Sequence, residues 1–110
     1  MNNYRVLIAY AAEKDLQGIF EYISIDLQSI KAARNILKKL ETQINNLEIF
    51  PEKYKKYPVE PWCSRNVRVM TVNSYCVFYI PNDAKMTVTI IRVIYGARDL
   101  DRQLNIFEKQ

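Results

Sequence analysis

The spacing of apolar residues divides the chain into a helical first half and a strand-rich second half. Tyr4 to Tyr10 is a short β-prone run and predicts a first strand. Ala11-Ala12-Glu13-Lys14-Asp15 then opens a helix in which Leu16, Ile19, Phe20, Ile23 and Leu27 form one apolar stripe. Gly18, Ile23 and Ile25 lower helix propensity locally without breaking that stripe. Asp26–Ser29 reads as a break, with Ser29 placed to cap a second helix. There Ile30, Ala33, Leu37, Leu40, Ile44 and Leu47 recur at alternating three- and four-residue steps, while Lys31, Arg34, Lys38, Glu41 and Asn45 fill the other face. Two such helices joined by a short link pack as an antiparallel pair.

Pro51 closes the helical region. Residues 52–62 mix prolines, lysines and aromatics and read as a connection, with one short edge strand near Tyr54–Pro58. Beyond it, Arg65–Val72, Tyr75–Ile80 and Met86–Tyr95 read as three strands in succession. Asn73-Ser74 joins the first pair and Pro81-Asn82-Asp83-Ala84-Lys85 the second, and short polar links between β-branched and aromatic runs are the mark of hairpins. Leu100 to Phe107 predicts a short terminal helix with Leu100, Leu104 and Phe107 inward. With no repeat and no linker, the pattern predicts one α+β domain over residues 1–110. It has an N-terminal strand, a helical hairpin packed on one face of an antiparallel β-sheet, and a short C-terminal helix.

Composition sharpens this picture in three ways. Hydrophobic residues are 49% and charged residues 25%, so the chain is globular and not disordered. No apolar run approaches the ~20 residues of a membrane-spanning helix. The start, Met1-Asn2-Asn3-Tyr4-Arg5, has no apolar leader, from which a cytoplasmic location is expected. In that compartment Cys63 and Cys76 are expected as free thiols. Two cysteines and no histidine are too few soft ligands for a structural zinc, and no metal or cofactor is expected. The net charge is +4, and residues 53–68 carry that excess alone, with Lys53, Lys55, Lys56, Arg65 and Arg68 against Glu60. A local basic patch suits a polyanion or an acidic protein segment, although a lysine-rich run is more often simply a solvated loop.

The ordered set of words in this chain resembles the RelE/ParE superfamily of bacterial type II toxins. The residues that carry the resemblance are Tyr4-Arg5-Val6, Ala11 to Leu16 leading to Ile19-Phe20-Glu21-Tyr22-Ile23, and Leu47 to Pro51. Glu60-Pro61-Trp62, Tyr75 to Tyr79, and Val88 through Tyr95 into Gly96-Ala97-Arg98-Asp99 complete it. The resemblance implies a toxin neutralised by a cognate antitoxin that lays an extended segment over its surface. RelE-like members cut mRNA on the ribosome without a metal, and ParE-like members poison DNA gyrase. The shared fold does not choose between these. A degenerate member would act only as antitoxin partner and autoregulator.

Metal-free RNA cleavage needs a base near the 2′-oxygen, cations on the phosphate and an acid for the leaving oxygen. The resemblance places a phosphate-binding arginine at Arg98, after the last strand, and Arg65 is a second candidate. Glu60 or Asp99 serves as a base only if burial raises its pKa, and Tyr95 is a candidate proton donor or stacking group. Tyr54 and Trp62, interleaved with Lys53, Lys55 and Lys56, suit base stacking with phosphate contacts, with Arg68 beside them. Packing against the helix ends is an equal alternative for these aromatics. Against RelE-type catalysis, Val67 and Val69 stand where the resemblance expects lysines, Cys76 near an expected arginine, and Leu104 near an expected tyrosine. Cys76 reads as a small hydrophobe. Arg92, within the last strand, reads as a structural cation that pairs with a carboxylate. The partners expected are thus an antitoxin and either the ribosome with mRNA or, alternatively, DNA gyrase, with no membrane involved.

Overall fold

The computed structural model describes residues 3–97, 99–100 and 102–104. Its strands are β1 (Arg5–Ile8), β2 (Arg68–Val72), β3 (Tyr75–Asn82) and β4 (Thr87–Tyr95), and its long helices are α1 (Tyr10–Glu21) and α2 (Ile30–Asn46). The sheet has the order β1-β4-β3-β2. The β2-β3-β4 meander is antiparallel, as the hairpin signals require. Strand β1 differs from the expectation, because it joins the outer side of β4 in parallel and makes the sheet mixed. The helical pair and the long return after it separate β1 from β2, so no hairpin fixes the direction of β1.

Local chemistry explains the element boundaries. The Ser29 Oγ accepts the Ala32 N–H at 3.1 Å and starts α2, as its position predicts. Between the helices, Tyr22–Asp26 forms a π-turn in which the Leu27 N–H donates to the Tyr22 carbonyl at 3.1 Å. The wider turn inserts a residue into the helical phase. Ile19 and Ile23 therefore stay buried, whereas Leu27 is 56% exposed and Phe20 37% exposed, outside the expected stripe. Asn73 takes φ 53° in the two-residue β2–β3 turn, which suits an asparagine.

One irregularity decides which side chains face where. Phe78 pairs with Arg92 but Tyr79 pairs with Ile90, so Ile91 is an extra residue in β4. Ile90 and Val93 consequently join the helix-side core with Leu40, Ile44 and Val77, while Ile91 and Ile94 point into a second core. That second core, with Trp62, Val67, Phe78 and Leu104, lies on the face away from the helices. Both faces of the sheet are thus covered over much of their area, not one face alone. The helix-forming tail begins with Asp99, whose carbonyl accepts the Gln103 N–H at 3.1 Å. Leu104 is fully buried and Leu100 partly so, as expected; Phe107 lies outside the described residues.

Candidate functional site

The basic segment after α2 is fastened down before it presents anything to solvent. Pro51–Lys53 makes one 3-10 turn. The buried Tyr79 hydroxyl donates to the Pro51 carbonyl at 2.7 Å, and burial pushes its pKa up to about 12. The Arg68 guanidinium donates to the Tyr54 carbonyl at 2.7 Å and to the Glu52 carbonyl at 3.3 Å. The Tyr57 N–H then donates to the Val67 carbonyl at 2.8 Å and the Val69 N–H to the Lys55 carbonyl at 3.2 Å. Lys56 bridges Arg68, so residues 55–57 lie along the outer edge of β2 in the place where a short edge strand is expected.

Residues 60–66 form tight turns and not the start of a strand. Glu60 holds this segment, accepting the Ser64 N–H at 2.7 Å and the Ser64 hydroxyl. Trp62 is 2% exposed and packs into the second core. Tyr57 meets Phe78 edge to face there, at 5.2 Å between ring centres. Arg65 is exposed, with its guanidinium 5.5 Å from the centre of the Trp62 ring.

These placements correct several expectations from the sequence. Strand β2 starts at Arg68, so Arg65 has no strand register with Val67 and Val69. Arg68 turns its Nη1 to two backbone carbonyls beneath the loop, and its Nε is buried there without a partner among the described residues, so the side chain is not laid out as a surface phosphate contact. Trp62 is a core residue and offers no face to a base. Glu60 is exposed and its hydrogen bonds from Ser64 hold its pKa below the usual carboxylate range, so burial does not make it a base. Tyr54 is half-buried against the helix-side core, with the Lys53 ammonium 5.4 Å from its ring centre. Lys53, Lys55 and Lys56 are exposed, as a binding surface requires. Arg98 lies outside the described residues. Asp99 caps the last turn, its carboxylate accepting the Arg102 N–H at 3.3 Å.

A second group gathers at the far end of the sheet. Tyr95 is 47% exposed at the end of β4 and lies edge-on to Tyr75, with ring centres 5.8 Å apart. Burial pushes the Tyr75 phenol up, and Tyr95 and Tyr22 add to it. Three tyrosines from three elements therefore share this corner, a grouping that spacing alone does not reveal. Beside them, the Gly96 N–H donates to the Ser74 carbonyl at 2.8 Å. A Cβ on Gly96 would lie 3.3 Å from that oxygen and 3.5 Å from the Cys76 sulfur, so the close approach needs glycine. Burial pushes the Cys76 thiol up, in keeping with a small apolar residue.

Arg92 has the structural role that its place in a strand implies. Its Nε and Nη2 donate to the Asp15 carboxylate at 2.7 and 2.8 Å, and Nη1 donates to the Gln103 carbonyl at 2.9 Å. Asp15 also accepts the Val93 N–H at 2.9 Å. Strand β1 stops pairing at Ile90, so β4 has an open edge there, and the Asp15 side chain closes it. Nothing in the spacing identifies Asp15 among the carboxylates of the chain.

In chemical terms, the described residues present the exposed cations Lys53, Lys55, Lys56 and Arg65 near the exposed Glu60. Among them no three His, Cys, Asp or Glu side chains gather as a metal site, and no helix is long and apolar enough to cross a membrane.

Comparison with known proteins adds the following. Residues 6–100 match the family described as the ParE toxin of the type II toxin–antitoxin system parDE. No curated protein matches the chain in sequence. Among solved structures, a chain of the chromosomal ParDE system from P. aeruginosa superposes with a TM-score of 0.68 at 17% identity, covering 84% of this chain and 95% of that one. A chain of the RelBE2 toxin–antitoxin complex from Mycobacterium tuberculosis gives 0.67 at 20% identity, covering 89% and 97%. The isolated E. coli RelE toxin gives 0.60 at 15% identity, covering 97% and 99%. At such identities these likenesses speak for the fold.

Proposed function

The chain belongs to the ParE toxin family of type II toxin–antitoxin systems, and on that premise we propose that it arrests growth by binding its target, in the manner of a ParE-like inhibitor of DNA gyrase, and is neutralised by a cognate antitoxin. One observation carries the choice of binding over cleavage. Three of the groups that RNA cleavage or binding would call on are engaged within the fold: Glu60 with Ser64, Arg68 with the Tyr54 carbonyl, and Trp62 in the core. Cleavage by 2′-oxygen attack needs base, acid and phosphate cations within reach of one linkage. A binding inhibitor needs none of them.

A second reading, metal-free cleavage of mRNA on the ribosome, is favoured by the exposed row of Lys53, Lys55, Lys56 and Arg65. It leaves Arg98 as the chief phosphate-binding candidate, with Tyr95 as acid. The test is pulse labelling after induction without antitoxin, following DNA and protein synthesis in parallel over the first minutes. Arrest of DNA synthesis first, with double-strand breaks and intact message, is the expected result. Arrest of protein synthesis first, with cut message that Arg98→Ala abolishes, would replace the first reading by the second. Unimpaired growth would leave an inactive member that serves only as antitoxin partner and autoregulator.

A further inference from the structure

The sheet face turned away from the helices is finished in two ways. One half is closed by Tyr57, Trp62 and Val67. The other half, where β1, β4 and β3 lie side by side, carries an open groove of about 620 Å³. Strand register lays out its floor as two rows. Arg5 stands opposite Thr87, which stands opposite Asn82. Two residues along, Leu7 stands opposite Thr89, which stands opposite Ile80. Alternation puts all six side chains on one face, because the neighbouring Val6, Val88 and Tyr79 pack into the helix-side core. The rows lie ~7 Å apart along the strands, and each spans ~10 Å across them.

The rows differ in chemistry. The first is made of donors. Arg5 is exposed, and Lys85 joins it from the β3–β4 turn. The Lys85 N–H donates to Asn82 Oδ1 at 3.1 Å, which leaves the Asn82 amide NH2 as a donor. Among the described residues, Arg5 and Lys85 form no ion pair, and no carboxylate lines the groove. The nearby Asp83 is held by the Tyr4 hydroxyl, which donates to it at 2.6 Å. Thr87 lies in the middle of this row and is only 7% exposed, yet no described residue hydrogen-bonds its hydroxyl. A buried hydroxyl is ordinarily paired, so an unpaired one that lines a groove marks the place of a ligand oxygen. The second row is an apolar ledge: Leu7, 39% exposed, and the half-buried Ile80 flank Thr89.

We infer that this groove binds a nucleoside phosphate, with phosphoryl oxygens on Arg5, Lys85, Asn82 and the Thr87 hydroxyl and the base over Leu7 and Ile80. The inference is independent of the antitoxin and of the growth-arrest target. Each row takes one end of the ligand. Two cations and two neutral donors match an anion with several oxygens. Inorganic phosphate would leave the apolar row to water, and an uncharged nucleoside would leave the cations unpaired. An acyl chain needs more apolar surface than two side chains offer. The volume falls among those of small-molecule sites, roughly 300–1,000 Å³. No aromatic ring lines the groove, so the base is held by apolar contact and not by stacking, and affinity is modest.

The experiment titrates the full chain with ADP, adenosine and inorganic phosphate by calorimetry, and maps ADP by amide chemical shifts. ADP is expected to bind with a Kd of about 0.1 mM, and each fragment at least tenfold more weakly. Shifts should move at Leu7, Thr87 and Thr89. Thr87→Val keeps the shape of a buried side chain and removes its hydroxyl, and should weaken ADP by roughly five- to tenfold. Arg5→Gln with Lys85→Gln, both at exposed positions, should weaken ADP by more than roughly tenfold and flatten its salt dependence. Leu7→Ser should weaken ADP and leave the weaker binding of phosphate unchanged. Lys38→Gln, at an exposed position on α2, should bind ADP as wild type does. Melting temperatures accompany every variant, and the exposed-position variants carry the test if Thr87→Val unfolds. Phosphate binding as tightly as ADP would reduce the groove to an anion patch and overturn the inference. So would equal losses in Lys38→Gln and in the Arg5 and Lys85 pair, or no ADP binding at millimolar concentration. Binding of a single-stranded RNA oligomer but not of ADP would give the surface to nucleic acid and overturn it too.

Discussion

Replacing Asp15 by alanine should be among the costliest single changes in this domain. The carboxylate accepts three hydrogen bonds, from Arg92 Nε at 2.7 Å, Arg92 Nη2 at 2.8 Å and the Val93 N–H at 2.9 Å. The Arg92 and Asp15 side chains are only 12% and 16% exposed, so water replaces little of what is lost. Removing one member of a fully buried pair costs roughly 3–5 kcal/mol, because the other charge is left without a partner. Residual exposure and the Gln103 carbonyl, which still holds Arg92, put this case at the lower end, about 3 kcal/mol. For a domain of this size that lowers the melting temperature by roughly 10–20 °C. Asp15→Asn keeps an acceptor for Val93 and one for Arg92 but loses the charge, and should cost about half as much. Combining Asp15→Leu with Arg92→Met should cost less than the two changes separately. The assay is urea unfolding followed by circular dichroism, with amide exchange at Val93. An Asp15→Ala protein within about 1 kcal/mol of wild type, and with a protected Val93 amide, would refute the argument.

Further outcomes follow from other contacts. Tyr79→Phe strands the Pro51 carbonyl and should cost roughly 1–3 kcal/mol in urea unfolding. The Tyr79 phenol has a folded pKa of about 12 against 10.0 ordinarily, so its contribution is whole below pH 10.0 and fades as pH climbs through 12. An alkaline unfolding limb that is shallower in Tyr79→Phe than in wild type checks the sign. Gly18 lies inside α1 and a Cβ there would meet nothing within 4 Å, so Gly18→Ala should stabilise by roughly 0.5–1 kcal/mol, read as a raised melting temperature. Trp62 is the only tryptophan, and burial predicts blue-shifted emission resistant to iodide. Ready quenching would return it to the surface and reopen a stacking role.

The sequence was most legible where periodicity and turn chemistry agree. Ser29, the α2 stripe and Asn73-Ser74 each describe a local event, and local events need only neighbouring residues. Arg92 was legible as a type of solution, since a cation inside a strand needs a carboxylate. Its partner Asp15 was not, because it lies 77 positions away and only the packing of α1 on β4 brings it near. The bulge at Ile91 was hidden because Ile90 and Ile91 are both apolar, so the change of face leaves no mark on the pattern. The direction of β1 was hidden too, for it is set by long connections and not by a turn. Among the candidate site residues, exposed lysines were read correctly as exposed. The places of Trp62, Arg68 and Glu60 were not legible for one reason: a mixture of prolines, lysines and aromatics describes a binding loop and a packed strap equally well.

That strap bears on the choice of function. Residues 57–67 cover the second face of the sheet with Trp62, Val67 and Tyr57, and Leu104 from the tail completes the cover. A sheet face occupied this way is core, and core residues cannot also touch a phosphate. The Arg68 and Tyr79 bonds fasten the start of the strap, and the Glu60–Ser64 bonds fix its turn. Glu60 and Arg65 of that turn are both exposed. Here the area left open lies beside β1, where Leu7 and Ile80 are apolar and Arg5 and Lys85 cationic. The half of the sheet under the strap thus holds the domain together, while the half beside β1 keeps an open groove.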